Sequence, residues 1–236
     1  MFWKRADRIK GIAGSLTGST VLVGDSVAGA GPGIVRTIAE AGAAVIATSA
    51  DRAMLDVELS RARDTPGQIT GLAVDPAVGS LADTVPTHLT APLDGLVLNP
   101  RLDSTEDTRS WLALANALMS QMRDTGTTGS VVFITGINRR GPEGAAAAAL
   151  QARVEDLAAD FAANAIRVNA VAPGPIGANR RGRPRSHSAT PLGHVTLHPV
   201  EIGKAVWFLL NDDLSAGITG ATINVDRGAS LLRPNW

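Results

Sequence analysis

The chain has 236 residues, 44% of them hydrophobic and 19% charged, with a formal net charge of zero; an α/β chain of this length commonly folds around one continuous core. That balance excludes a disordered chain and gives no broad electrostatic attraction to nucleic acid. There is no cysteine, so disulfides, thiol nucleophiles and cysteine metal sites are excluded.

Residues 1–18 read as an N-terminal extension to a single domain spanning 19–236. The opening MFWKRADRIKGIAG carries charges throughout and no apolar run. It therefore predicts neither a signal peptide nor a membrane span, and a cytoplasmic location is expected. STVLVG (19–24) is a β-branched run closed by glycine; GAGPG follows, then IVRTIAEAG with apolar positions at helical spacing, so the order is strand, turn, helix. Strand-like runs recur at AAVIAT (43–48), ITGLAVD (69–75), LDGLVLN (93–99), GSVVFIT (129–135) and IRVNAVAP (166–173), most of them separated by helix-like stretches. Such alternation requires crossover connections, which build a parallel sheet with helices on both faces. The expected fold is α/β: a Rossmann-type, doubly wound, mostly parallel seven-stranded sheet. Its last strand is expected at about Ala221–Val225.

NRRGRPRSHSATPLGH (179–194) has turn residues and charge without periodicity and reads as a surface loop. Arg180, Arg181, Arg183 and Arg185 would favour an acidic or phosphorylated ligand if this loop covers a pocket; a plain solvated loop is the other reading. Nucleic-acid binding through the same arginines lacks interleaved aromatics and ranks last. The four histidines, His88, His187, His194 and His198, have no metal-ligand spacing, and no metal site is expected.

In the first turn, Gly24 closes the strand, and Gly29, Gly31 and Gly33 precede or open the helix. Glycine there allows a tight turn and close approach of a pyrophosphate to free N–H groups at the helix start; it also serves plain turns.

IRVNAVAPGPIG (166–177) and ITGATINVDRGASLL (218–232), with PVEIGKAVWFLLNDD (199–213) between them, resemble signatures of the short-chain dehydrogenase/reductase family. The resemblance covers roughly residues 19–232 and implies a bound NAD or NADP. It assigns Gly24, Gly29 and Gly31 to the pyrophosphate, with one extra residue between the first two glycines. Asp75 falls to adenine, Asn99 to the asparagine-rich strand end, and Pro173, Gly174 and Ile176 to the nicotinamide flank. As structural residues, Asp75 would cap a helix and Pro173-Gly174 would form a turn. Ser49 and Ala50 end the second strand, where the family places an acid for NAD or an arginine nearby for NADP, so the preference stays open.

The family's catalysis uses a serine, a tyrosine and a lysine four residues later, usually with an asparagine; the lysine lowers the pKa of the proton-donating tyrosine. This chain has no tyrosine, and its only lysines are Lys4, Lys10 and Lys204. The serine position falls on Gly136, beside Thr135. Glu143 and Ala147 lie near the tyrosine and lysine positions, and Asp107 lies near the asparagine. The candidate catalytic side chains are then Thr135 and Glu143, with Arg101, Arg139 or Arg140 as substrate-polarising cations. Two functions follow as expectations: atypical, non-reductase chemistry on a small molecule, or a catalytically inactive nucleotide-binding or partner subunit. The resemblance also implies a homodimer or homotetramer packed through helices near 107–123 and 144–164.

Overall fold

The β-branched run Thr20–Gly24 forms strand β1, third from one edge of the sheet, with burial on both faces. The computed structural model describes residues 12–78, 80–137, 141–176, 190–192 and 196–232. The other strands are β2 (Ala44–Ser49), β3 (Ile69–Ala73), β4 (Gly95–Leu98), β5 (Gly129–Ile134), β6 (Ile166–Pro173) and β7 (Thr222–Val225). They form one seven-stranded sheet in the order β3-β2-β1-β4-β5-β6-β7, and every pairing is parallel. The chain therefore starts mid-sheet, builds outward to β3 and crosses back to β4. Between β1 and β4 lies the switch point, where a doubly wound sheet opens a crevice at its carboxyl edge.

The helices are α1 (Gly31–Glu40), α2 (Arg52–Arg61), α3 (Leu81–Thr84), α4 (Thr105–Thr125), α5 (Pro142–Phe161), α6 (Pro199–Leu210) and α7 (Asp212–Ser215). Side-chain alternation along each strand feeds two cores. Val21 and Val23 point into the core under α1 and α6, whereas Leu22 points into the core under α4 and α5. Ser104 starts α4 by accepting the Asp107 N–H at 3.1 Å, and Gly126 ends it at φ 69°, an N-cap and a left-handed terminator. The expected extension, residues 1–18, contributes Ile12 and Leu16 to the α1/α6 core; Leu16 N–H donates to Ala41 O at 2.9 Å. No helix among the described residues is long and apolar enough to cross a membrane.

Helices α1 and α6 approach closely because glycines face each other. A Cβ on Gly33 would fall 2.1 Å from Pro199 C, and one on Gly203 would fall 2.4 Å from Thr37 Oγ1. Gly33→Ala improves helix propensity but forces the helices apart. We expect a net loss of about 2 kcal/mol, or roughly 4–8 °C in Tm for a domain of this size. Thermal unfolding checks this against Gly217→Ala, where an added Cβ meets nothing within 4 Å. An unchanged Tm for Gly33→Ala would contradict the packing described.

Candidate functional site

The turn from β1 into α1 is held by contacts from distant strands. Ser26 N–H and Oγ both donate to Thr48 O, at 2.8 and 2.9 Å, which ties the turn to β2. Asn99 Nδ2 donates to both Asp25 O and Ala28 O at 3.0 Å, so this side chain at the end of β4 braces the turn from the other side. Gly31 N–H donates to Ala28 O at 2.8 Å, and a Cβ on Gly31 would lie 2.3 Å from Ser26 O. The turn is therefore folded onto Gly31 at a distance only glycine allows.

The left-handed residues in this turn are Gly29, at φ 53°, and Asp25, at φ 46°. Gly24, expected to supply a phosphate turn, is the last residue of the strand. A side chain there would collide with the indole of Trp111, 2.6 Å from Cζ3, so the residue type follows from packing. The first turn of α1 carries no acid and its N-cap, Ala30, provides no side-chain cap. Of the N–H groups there, that of Gly31 is taken by Ala28 O and that of Ile34 by Ala30 O, and Pro32 has none, so the Gly33 N–H is the one left to an anion or to solvent.

Two clefts open along the carboxyl edge. The first, about 500 Å³, lies over β1, β2 and β3 and is lined by Asp25, Ser49, Asp51 and Asp75, with Arg101, Glu106, Asp107 and Trp111 opposite. Asp75 Oδ1 accepts the Ala77 N–H at 2.9 Å and Asp51 accepts the Met54 N–H at 2.9 Å, so both carboxylates also fix local backbone. Asp107 Oδ2 accepts the Arg101 N–H at 2.7 Å. Burial, and then the neighbouring Asp107, push Asp25 up to about 6, with Arg101 partly opposing. Burial also raises Asp107. Trp111 Nε1 is buried without a hydrogen bond of good geometry, although it lies near enough to Asp107 to pull that carboxyl back down.

The second cleft, about 700 Å³, lies over β5 and β6. Arg101, Leu102 and Asp103 form one wall, and Gly136, Glu143, Pro173 and Gly174 form the other. Gly174 N–H donates to Val225 O at 2.9 Å, and a Cβ there would fall 2.9 Å from Asp226 Cα. Ile176 instead pairs with Leu197 and packs on the α1/α6 core. Of the two candidate catalytic side chains, Glu143 is exposed at this cleft. Thr135 is 5% exposed and its hydroxyl accepts from Gln151 Nε2 at 3.2 Å, the same amide donating to Gly136 O at 2.8 Å. Ala147 is buried, 3.5 Å from where a Gly136 Cβ would stand.

Arg139, Arg140 and most of 179–194, including Arg180, Arg181, Arg183 and Arg185, lie outside the described residues. Among the described residues no group of three His, Cys, Asp or Glu could hold a metal ion. Sequence reasoning missed Asp25, Trp111 and Gln151. A charged residue inside a glycine-rich turn was the available signal for the first, and the i,i+4 spacing from Ala147 was the signal for the third.

Sheet order, crossover and turn define a protein of the doubly wound Rossmann class. Residues 105–230 match the family model described as enoyl-(acyl carrier protein) reductase. A 3-oxoacyl-(acyl-carrier-protein) reductase of Pseudomonas aeruginosa is 30% identical over 243 residues, covering 91% of this chain and 98% of that protein. An NADH-dependent enoyl-(acyl-carrier-protein) reductase of Bacillus subtilis is 30% identical over 177 residues, covering 70% of this chain and 66% of that protein. A structure from Agrobacterium tumefaciens with bound NADP has 26% identity and a TM-score of 0.78, covering 92% of this chain and 98% of that one. The chain belongs to the short-chain dehydrogenase/reductase family.

Proposed function

We propose that the chain binds a nicotinamide dinucleotide, NAD or NADP, across the two clefts, and that it lacks the ketone-reducing chemistry usual in its family and acts on a small molecule in another way. The uncapped start of α1, with Gly29 and Gly31 beside it, suits the pyrophosphate. Asp51 and Asp75 would flank the adenosine half, Pro173 and Gly174 the nicotinamide half. A bound nicotinamide supplies or accepts hydride. The chain's own residues must then move the proton, and in the second cleft Glu143 is positioned to hold one. The observation that carries the reading is the complete absence of tyrosine from a chain whose sheet and turn are otherwise those of the family.

A second reading, a catalytically inactive ligand-binding or partner subunit, draws support from Gln151 and Ala147, which close the wall behind Gly136 without offering an acid. Turnover of any substrate that Glu143→Gln abolishes would favour the enzyme. Saturable binding with no turnover by either protein would favour the inactive subunit. We also propose a homodimer or homotetramer, since Ala145, Ala148 and Ala149 leave a small outer face on α5 that permits close helix approach.

The charge of the first cleft bears on cofactor choice. Asp51, Asp75 and Glu106 line it with Arg101 as the opposing cation, so a 2′-phosphate would meet like charge. We expect NADH to bind at least about tenfold more tightly than NADPH, which is ~1.4 kcal/mol and within the range of one like-charge pair near a protein surface. Quenching of indole fluorescence on titration measures both affinities. Equal or reversed affinities would contradict the preference, and no binding of either would remove the dinucleotide reading.

A further inference from the structure

Asp25 stands inside the turn that would have to receive the pyrophosphate. Its backbone is fixed, because Asn99 Nδ2 holds Asp25 O at 3.0 Å and the next residue is tied to Thr48 O. The carboxyl therefore cannot leave the cleft by a movement of the turn alone. It faces Asp107 and Arg101 from the start of α4 and the segment before it. Asp51, Asp75 and Glu106 line the same cleft, and the Arg101 guanidinium is shared with Asp103 at 3.4 Å. Five carboxylates thus line the first cleft, with one cation among its described residues.

An anion entering beside a fixed carboxylate raises the free energy of the ionised form and favours the neutral acid. Resting on the dinucleotide reading above, we propose that a diphosphate-bearing nucleotide enters this cleft together with one proton, which the Asp25 carboxyl takes up, making Asp25 the residue that sets the pH range of cofactor binding. The bulk solvent supplies the proton, the Asp25 carboxylate becomes a carboxylic acid, and no other bond changes. Burial and Asp107 already bring Asp25 to about 6 in the free protein. Below that value the acid is already neutral and affinity is constant. Above it, affinity falls by up to about tenfold per pH unit, until the carboxyl of the complex itself ionises.

NAD+ is the probe, because its diphosphate diester has no group titrating between about pH 5 and 9; adenosine is the uncharged control. Calorimetric titrations would be run at pH 5.5 and 7.5, and at pH 7 in two buffers of different ionisation enthalpy to count protons. The wild-type protein is expected to bind NAD+ about twentyfold more tightly at pH 5.5 than at pH 7.5, with a net uptake approaching one proton at pH 7. Adenosine affinity should change less than twofold. Asp25→Asn, whose side chain has the same shape and tolerates a left-handed backbone, should bind NAD+ with no pH dependence and no proton uptake. Asp107→Asn removes a like charge and should move the wild-type transition to lower pH. NAD+ binding without proton uptake in the wild type, or an unchanged pH profile in Asp25→Asn, would overturn this inference and leave the dinucleotide reading standing. Failure of the wild type and of Asp25→Asn to bind NAD+ at pH 5.5 would overturn both.

Discussion

Trp111→Ala should destabilise the protein by about 3–5 kcal/mol, the cost of emptying a buried aromatic site, and lower Tm by roughly 6–20 °C for a domain of this size. Trp111 is 1% exposed, projects from α4 into the core shared with Leu22, Leu96 and Phe133, and has its six-membered ring against the Cα of Gly24. The cavity would lie under the turn that carries Asp25, so the loss should reach the first cleft as well as the core. Trp111→Phe keeps most of the volume and removes Nε1 from beside Asp107, and should cost roughly 1–2 kcal/mol, because most of the buried ring volume stays filled. Thermal and denaturant unfolding, with nucleotide affinity measured on the same samples, check both parts. A Trp111→Ala protein that unfolded at the wild-type midpoint would show that the ring does not support the turn.

The second large effect is chemical. Ketone and quinone panels read at the nicotinamide absorbance should give no turnover with NADH or NADPH, even where one of them binds. Hydride delivery to a carbonyl leaves an alkoxide that needs an acid and a hydrogen-bond donor within reach. General acid–base help is worth ~10²–10⁴-fold and an oxyanion donor a further ~10²–10³, so a chain without both, as proposed, would lose roughly four to seven orders of magnitude. Restoring one group should fail. Gly136→Ser should fold, since its Cβ would meet Leu102 Cδ1 at 3.3 Å, a contact that yields with a small shift, but it supplies a donor without a proton source. Glu143→Tyr supplies a phenol whose pKa near ~10 lacks the lysine that would lower it. Robust reduction by the unmodified protein would overturn the reading that the chain lacks the ketone-reducing chemistry of its family.

Much of the fold was legible because strand and helix periods are local. The run IRVNAVAP appears as β6 over Ile166–Pro173, and the parallel order followed from alternation and crossover handedness. The turn was legible as a location and less so as a set of roles. Gly24 owes its type to Trp111, 87 positions away in sequence, and no local pattern announces that contact. The sequence places Asn99 at a strand end; its work as a brace for Asp25 and Ala28 exists only once β1 and β4 are adjacent. Thr135 looked available beside the serine position, yet burial and Gln151 withdraw it from the cleft. Asp25 carries no local signal of its left-handed backbone, since the glycines around it suggest that Gly24 and Gly29 make the turn, whereas in the structure Asp25 shares the left-handed conformation with Gly29.

The most direct test of the account is a crystal structure of the protein soaked with NADH. The expected result is continuous density along the carboxyl edge, with adenosine beside Asp51 and Asp75, the pyrophosphate at the start of α1, and the nicotinamide against Pro173 and Gly174. No density at a saturating concentration, or density confined to another surface, would contradict it.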